Sequence, residues 1–263
     1  MIAALGLSAE ASLLLCAALG VIGLVLLIAR FKLNSFVALI VASLFVGLCS
    51  GMELLKIATA FQEGVGKVLG DIAMVIGLGT VLGKMLAESG GAEVVARVLI
   101  RALGERRLHW TMMIVAFIVG IPVFFSVGLV LLAPILFTIV RETRLPLLHL
   151  GIPLLAGLAC AHGFVPPHPG PMAAIGILKA DIGKTIFYSL LVGIPTAIIV
   201  GPVLGKWIAG NVIVQPGGLA DQLAPRAERK NLPGFGVTLL TILLPILLML
   251  LATVADLTLV KGN

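Results

Sequence analysis

The sequence predicts an all-α polytopic membrane protein, and three observations lead to this prediction. Of the 263 residues, 60% are hydrophobic and 11% are charged, whereas a soluble domain is about half apolar and a quarter charged. Apolar windows of about 18 residues or more, long enough to cross roughly 30 Å of hydrocarbon, recur along the chain. Prolines interrupt two of these windows, which predicts a re-entrant hairpin and a broken helix within the membrane.

The excess of Lys and Arg over Asp and Glu bears on which kind of partner the protein has. A net charge of +6 at pH 7 is typical of the cytoplasmic loops of a membrane protein, so we expect no nucleic-acid partner. The three cysteines lie in apolar stretches without a CxxC motif, and we interpret them as packing residues. No HExxH motif and no nucleophile–base pair occurs, which argues against an intramembrane enzyme. We expect neither a metal site nor a cofactor.

The first third of the chain contains three predicted spans, residues 11–29, 35–52 and 72–87. No basic residue precedes the first of them, so we expect a span there rather than a cleaved signal peptide. Residues 53–71 carry charges at several positions, and we expect them to lie at a membrane interface.

Residues 91–109 differ from the spans because charged and apolar side chains separate onto two faces of a helix. Glu93 and Arg97 form a favourable i,i+4 pair, and Arg106 and Arg107 follow the charged face. The segment is predicted to be an amphipathic helix on the cytoplasmic surface of the membrane. The apolar face comprises Val94, Val95, Val98, Leu99 and Ala102, and the charged face comprises Glu93, Arg97, Arg101 and Glu105.

The apolar run 110–140 is too long for one straight crossing, since 31 helical residues measure about 46 Å. Pro122 near its middle leaves two interpretations, one kinked crossing or a re-entrant hairpin that enters and leaves on the same side. With the N-terminus outside, the hairpin places twelve Lys and Arg in the cytoplasm and five outside, whereas the single crossing places nine and eight. The positive-inside rule therefore favours the hairpin. The twelve are Arg30, Lys32, Arg97, Arg101, Arg106, Arg107, Arg141, Arg144, Lys206, Arg226, Arg229 and Lys230.

The remainder of the chain is predicted to hold a broken span, a further span, a loop and a closing span. The broken span, residues 147–178, is apolar on both sides of the segment 162–171, which reads HGFVPPHPGP. Residues 186–208 are the next span, and the polar residues 209–233 are a cytoplasmic loop. The last span lies within residues 234–263.

The two interruptions, residues 121–128 and 162–171, are the candidate functional site. Non-helical backbone at membrane depth leaves N–H and C=O groups unpaired, at several kcal/mol each, so it persists only inside protein or beside water. Secondary transporters build anion and ion sites from broken helices and hairpins, because helix N-termini offer N–H groups to a carboxylate. His162 and His168 suit proton transfer or carboxylate binding, with the capping of loose backbone carbonyls as the alternative. They lie too irregularly for a pair of metal ligands.

The segments HGFVPPHPGPMAAIGILKADIGKT and GIPVFFSVGLVLLAPILFTIVRETR resemble the gluconate permease (GntP) family of bacterial proton symporters, and the similarity covers essentially the whole chain. The resemblance implies a multi-pass protein in the lipid bilayer of the cytoplasmic (inner) membrane. Its substrate would be gluconate or a related small sugar or hydroxy acid, a small organic anion, with H+ as the coupling ion. The residues expected to bind substrate or ion are Phe125, Ser126, Gly128, His162, Pro167, His168 and Gly170.

The same resemblance implies a fold of two inverted repeats, each with a hairpin and a broken helix. Residues 1–208 would be the first transporter repeat, residues 209–233 a cytoplasmic loop, and residues 234–263 the first span of an incomplete second repeat. Because family members are much longer, the chain resembles a truncated or split half-permease. As the alternative to a working symporter, we expect a chain that is inactive alone and pairs with a complementary second half or forms a homo-oligomer.

Overall fold

The structure is a computed structural model that describes residues 8–212, 214 and 231–259. Within these residues every regular element is helical, and six helices are long and apolar enough to cross a membrane. The predicted all-α polytopic fold is therefore confirmed. The chain divides into two compact units, Met1–Gly70 and Asp71–Asn263.

The first unit is built around two packed helices, α1 (Ala9–Ala29) and α2 (Ser35–Cys49). A glycine sets their distance, since a Cβ on Gly20 of α1 would overlap the side chain of Val46 of α2. Most large apolar side chains of both helices remain exposed, as expected for surfaces that face lipid. The helix α2 has 15 residues, so it is shorter than the predicted span 35–52 and shorter than a typical membrane crossing.

One long helix, α3 (Leu54–Ser89), covers both the predicted interfacial stretch 53–71 and the predicted span 72–87. The interfacial position of residues 53–71 stays a prediction. The helix continues because this stretch contains no proline, and each of its glycines costs only about 1 kcal/mol relative to alanine. Lys56, Glu63 and Lys67 are exposed along it, and Lys56 pairs at 3.4 Å with Glu53, the residue before the helix.

The predicted amphipathic segment 91–109 forms a shorter helix, α4 (Gly91–Leu103), followed by a single 3-10 turn, Glu105–Arg107. Gly104 separates the two with a φ of 74°, a left-handed value that glycine adopts without strain. Charged side chains line the exposed side of α4, with Arg97 and Glu93 hydrogen-bonded at 2.6 Å. Val94 and Val95 on the apolar side are buried against other helices of the same unit, whereas Val98 and Leu99 are half-buried and Ala102 is exposed.

The run 110–140 forms two helices rather than one kinked helix. They are α5 (Leu108–Gly120) and α6 (Phe125–Thr143), and both pack on α7 (Leu147–Phe164). Contacts along α7 show that α5 runs parallel to it and α6 antiparallel, so α5 and α6 form an antiparallel hairpin. The contacts that fix these directions are Gly157 with Met113 and Phe117, Gly120 with Ala161, Gly128 with Leu158, and Gly151 with Leu136.

The broken span consists of α7 and a second half-helix, α8 (Pro169–Leu178). The interruption, residues 165–168, is shorter than the predicted 162–171, because α7 retains its helical hydrogen bonds as far as Phe164. A hydrogen bond from the Val165 N–H to the Ala161 carbonyl at 3.1 Å closes the last turn of α7. Proline at the first position of α8 suits the helix start, since the missing N–H would have no partner there.

A continuous apolar stretch follows, made of α9 (Ile182–Ile198), a π-helical turn (Ile199–Val203) and α10 (Leu204–Asn211). It begins four residues before and ends three residues after the predicted span. The predicted loop 209–233 falls for the most part outside the described residues. The closing helix, α11 (Phe235–Leu259), packs on α4 and α9, so it belongs to the compact unit formed by the preceding helices.

The core of the second unit lies around α5 and α7, which make the most extensive contact in the protein's described part. Both helices bury nearly every residue of the side on which they meet. Dense packing of this kind holds helix ends in place, because interiors packed like crystals have little room to rearrange. Among the described residues, the largest fully buried side chains are Met112, Leu132, Leu150, Leu154, Leu158, Ile186 and Ile242.

Candidate functional site

The two interruptions come together at the end of α5 and α7, where a hydrogen-bonded chain links them. His162, in the last turn of α7, has its Nδ1 atom 3.1 Å from Nδ1 of His168. The Nε2 atom of His168 lies 2.7 Å from the carbonyl oxygen of Gly120, the last residue of α5. Side chains from the broken span therefore bond to the backbone of the hairpin across 48 positions of sequence.

The partners of His168 fix where the protons of the pair lie. A carbonyl oxygen only accepts, so Nε2 of His168 donates its proton to Gly120. In a neutral pair, Nδ1 of His168 is then an acceptor, and Nδ1–H of His162 donates to it. This leaves Nε2 of His162 as a free acceptor. One added proton fits there without loss of a bond, whereas a second would set two N–H groups against each other.

Aromatic contacts enclose the pair. The rings of His162 and His168 have centroids 4.5 Å apart, and Phe124 presents an edge-on contact to each, at 5.8 and 6.1 Å. His168 retains only 4% of its surface, while His162 is half-buried. One imidazole is thus held inside the protein, and the other faces the open side of the site.

The same contacts bring two helix N-termini together. Phe124 is the residue that precedes α6, and His168 is the residue that precedes α8, so both helices start beside the imidazole pair. Neither start is capped by a side chain. The first N–H groups of a helix have no partner within it, and the helix dipole adds positive potential at that end. An anion placed between the two helix starts would meet these groups.

The two helix starts differ in how many N–H groups they offer. In α6 the N–H groups of Phe125, Ser126 and Val127 precede the first helical bond, which runs from Gly128 to the Phe124 carbonyl at 2.8 Å. In α8 the first and third residues are prolines, so only the second residue has an N–H group to offer. The hairpin helix is therefore the main source of donors for an anion.

The predicted site residues fall into two groups in the structure. Phe125 and Ser126 on α6 and Gly170 on α8 lie in the first turns of the two converging helices, with Ser126 and Gly170 exposed. Pro167 is half-buried in the interruption itself. Gly128 lies apart from this group as a contact residue, since a Cβ there would come within 2.6 Å of Leu158 of α7.

Sequence reasoning missed two residues that the structure adds, Gly120 and Phe124. The carbonyl of Gly120 ends α5 and so lacks a helical partner. Pro122 signals this, because a proline two residues later ends the helix and leaves the last carbonyls without helical hydrogen-bond partners. Nothing in the sequence distinguishes Phe124 from Phe125 as the one that contacts the histidines.

The chemistry of the site is that of a proton and an anion. Among the residues that the structure describes, no group of three or more His, Cys, Asp or Glu side chains could hold a metal ion. The polar groups brought together are two imidazoles, one hydroxyl and the N–H groups of two helix starts. Such a set can bind a carboxylate and carry one proton beside it.

The chain is similar to known permeases along nearly its whole length. A family model described as GntP family permease matches residues 12–263. The gluconate permease of Pseudomonas aeruginosa is 52% identical over 259 residues, which cover 98% of this chain and 58% of that protein. The gluconate permease of Zymomonas mobilis is 48% identical, with 95% and 56% covered. The high-affinity gluconate transporter of Escherichia coli is 42% identical, with 95% and 57% covered.

The alignments cover a larger share of this chain than of its relatives. The relatives align along nearly all of this chain, which gives no support to the expectation of a truncated or split product. The chain itself spans a little over half the length of the relatives, 58% for the P. aeruginosa permease. No solved structure matches the chain.

Proposed function

The chain belongs to the GntP family of permeases, and on that premise we propose that it carries gluconate or a related small sugar acid across the bacterial cytoplasmic membrane in symport with a proton. Its relatives are named as permeases and transporters, not as enzymes. The observation that supports the proposal most directly is the bonded imidazole pair of His162 and His168 beside two helix starts.

The substrate carboxylate binds, in this proposal, between the starts of α6 and α8. The N–H groups of Phe125, Ser126 and Val127 and the Ser126 hydroxyl are donors of the type that a carboxylate accepts. Gly170 adds one N–H group from the other helix, and the space beside its Cα is open. The remaining hydroxyl groups of a sugar acid then extend into the open side of the site.

The coupling proton resides on the imidazole pair. One proton added at Nε2 of His162 keeps the bonds to His168 and Gly120, so the pair takes up a single proton without rearrangement. The positive charge then lies next to the bound carboxylate, and the two neutralise each other. A neutral complex crosses the low-dielectric interior at lower cost than a lone anion.

Uptake by proteoliposomes tests the proposed function. With one proton per monovalent sugar acid, no net charge moves, so we expect uptake of labelled gluconate to follow an imposed pH gradient. A membrane potential, which would contribute about 2.3 kcal/mol per net charge at 100 mV, should have no effect. Uptake that follows the potential instead of the pH gradient would contradict proton symport with this stoichiometry. Absence of gluconate uptake under every gradient would contradict the assignment of gluconate as a substrate.

The orientation of the chain is also a proposal, with the N-terminus outside and both ends of the hairpin in the cytoplasm. The antiparallel packing of α5 and α6 supports a common side for both ends of the hairpin, because residues 107 and 144 lie at the same end of α7, and the positive-inside rule assigns that side to the cytoplasm. Single cysteines in place of Arg106 and Arg144, in a variant without the three native cysteines, should both be labelled only from the cytoplasmic side. Labelling of the two from opposite sides would contradict the re-entrant hairpin.

Association with a complementary second half or with a further copy of the chain remains part of the proposal. The exposed apolar faces of the helices support contact with lipid and with other membrane helices alike. The mass of the complex after mild detergent extraction distinguishes a single chain from an assembly.

A further inference from the structure

A second basic cluster lies at the opposite end of α5 and α7, about one helix length from the proposed transport site. His109 in the first turn of α5 and His149 in the first turn of α7 have ring centroids 4.9 Å apart. Lys206 of α10 lies within electrostatic range of both imidazoles. Three basic side chains from three different helices thus lie near one another, and we call them the basic cluster.

Backbone packing fixes the position of Lys206. Its neighbour Gly205 lies directly on α7, since a Cβ there would come within 3.1 Å of Pro153 and 3.3 Å of Ile152. Ile152 follows His149 by three residues, which is about one turn of the same helix. The lysine therefore projects from a turn of α10 that is in contact with the start of α7.

The basic cluster has no acidic counterpart in the described part of the chain. His149 and Lys206 act electrostatically on His109, Lys206 acts on His149, and no carboxylate is among these groups. Like charges gathered in this way repel, and the N-terminal ends of α5 and α7 add further positive potential. Lys206 is exposed and both histidines are half-buried, so a ligand can reach all three. The electrostatics favour an anion.

The position of the basic cluster along the membrane normal indicates which kind of anion it binds. Lys184 and Lys206 lie on one continuous helical stretch, and about 33 Å of helix separates them, close to the roughly 30 Å thickness of the hydrocarbon. Both tryptophans of the chain flank the cluster, Trp110 beside His109 and Trp207 beside Lys206. Tryptophan and lysine are the side chains that concentrate at the level of the lipid head groups.

The surroundings favour a lipid over a free anion. Trp207 is 69% exposed, and Ile199 and Val203 on the two turns before it are 62% and 56% exposed. An apolar strip of this kind leads from the cluster into the hydrocarbon, where it can pack along an acyl chain. Basic pockets between helices on the cytoplasmic side of a membrane commonly hold anionic head groups.

We propose that His109, His149 and Lys206 bind the head-group phosphate of an anionic phospholipid, with Trp110 and Trp207 at its sides and the acyl chain along the exposed face of α10. The imidazole N–H groups and the ammonium donate to the phosphate oxygens. The lipid links the starts of α5 and α7 to α10. It thereby stabilises the hairpin at the end remote from the transport site.

A lipid titration tests this assignment. The purified chain in a neutral detergent is titrated with short-chain phosphatidylglycerol, short-chain phosphatidylcholine or inorganic phosphate, while circular dichroism follows thermal unfolding. Phosphatidylglycerol should raise the unfolding midpoint and the other two should not. Lys206→Gln and His149→Gln should each require roughly tenfold more phosphatidylglycerol for the same rise, since each loses one charge-assisted bond to the phosphate. Lys206 is exposed, so its replacement leaves the core intact.

Lys184→Gln serves as the matched control, because Lys184 lies on the same helical stretch at the opposite membrane surface. It should respond to phosphatidylglycerol as the wild-type chain does. An equal response to phosphatidylcholine would overturn the proposal in favour of apolar contact alone. Half-saturation by inorganic phosphate at the same concentration would overturn it in favour of a free anion, and a wild-type response of both variants would remove the basic cluster from the lipid site.

Discussion

Two pairs of histidines lie at opposite ends of α5 and α7, and their rings have nearly the same separation. The centroids are 4.5 Å apart for His162 and His168 and 4.9 Å apart for His109 and His149. The first pair shares a hydrogen bond of 3.1 Å and bonds onward to a backbone carbonyl. Among the described residues, no hydrogen bond joins the second pair, which has Lys206 as its neighbour instead.

The difference shows that ring proximity alone does not define a proton site. In the first pair a carbonyl fixes one tautomer, so the number of protons that fit is limited to one beyond the neutral state. In the second pair neither ring is fixed by such a partner in the described part of the chain, and both rings lie near the positive charge of Lys206. One arrangement suits the transfer of a proton, and the other suits the attraction of an anion.

The largest effect is expected from His168→Ala. The substitution removes the partner of the Gly120 carbonyl and of His162, and it leaves a cavity where a side chain with 4% exposure had been. An unsatisfied buried carbonyl costs about 1–3 kcal/mol, so we expect a loss of stability of that size together with loss of pH-driven gluconate uptake. Chemical unfolding and proteoliposome uptake measure the two effects.

His149→Ala provides the comparison for stability. Its half-buried ring has no hydrogen bond among the described residues, so in lipid-free detergent the loss should stay below about 1 kcal/mol. An equal loss in both variants would mean that the bonds of His168 contribute nothing beyond ring packing, and the contrast between the pairs would fail.

Gly157→Ala should disturb both pairs, because both bridge the contact between α5 and α7. A Cβ at this position would overlap the carbonyl oxygen of Met113 and lie 2.9 Å from the backbone N of Phe117, so the helices must separate. Overpacking of this kind typically costs about 1–3 kcal/mol. Thermal unfolding and uptake should both decline.

Gly77→Ala in α3 is the matched control, since no atom lies within 4 Å of its Cβ position and alanine favours a helix. Its stability should equal or exceed that of the wild-type chain. Normal uptake by the Gly157 variant would show that the spacing of α5 and α7 does not govern the site.

The sequence predicted the helices well because apolar length is a local property. The start of α2 at Ser35, the start of α7 at Leu147 and the turn after Gly120 follow from apolar runs and from Pro122. The continuity of α3 through Asp71 was not predicted, because charges on a helix surface resemble an interfacial stretch when only the sequence is considered. Burial of α4 by α11 depends on contacts between distant parts of the chain, which periodicity does not reveal.

The candidate site was predictable in its composition but not in its connections. Prolines and histidines at membrane depth mark His162 and His168, and the structure joins them to each other. The bond from His168 to Gly120 spans 48 positions, and no local pattern encodes it. Gly128 illustrates the opposite case, since the family resemblance implied a site role whereas in the structure it packs closely against Leu158 of α7.

His168→Gln separates the structural role of the first pair from its proton. A glutamine amide can donate to the Gly120 carbonyl and accept from His162, but it cannot carry a proton at neutral pH. We expect a stability within about 1 kcal/mol of the wild-type chain, loss of gluconate accumulation driven by the pH gradient, and retention of gluconate exchange between equal concentrations. His162→Gln should behave in the same way. Accumulation with an unchanged pH profile in both variants would mean that His162 and His168 only cap the Gly120 carbonyl and do not carry the coupling proton.

The smallest effect is expected from Ser126→Ala, which tests whether anion and proton are held by separate groups. Ser126 lies exposed in the first turn of α6, and its hydroxyl is one donor beside several backbone N–H groups. Loss of one neutral hydrogen bond, worth about 0.5–1.5 kcal/mol, should raise the KM for gluconate about two- to tenfold. Ser189→Ala in α9 serves as the control and should leave the KM unchanged. The pH profile of uptake should not move in the Ser126 variant, because in the proposed function the proton resides on the imidazoles and not on the hydroxyl. A shifted pH profile with an unchanged KM would mean that the start of α6 takes part in proton binding, and the division between a proton-holding pair and an anion-holding helix start would have to be abandoned.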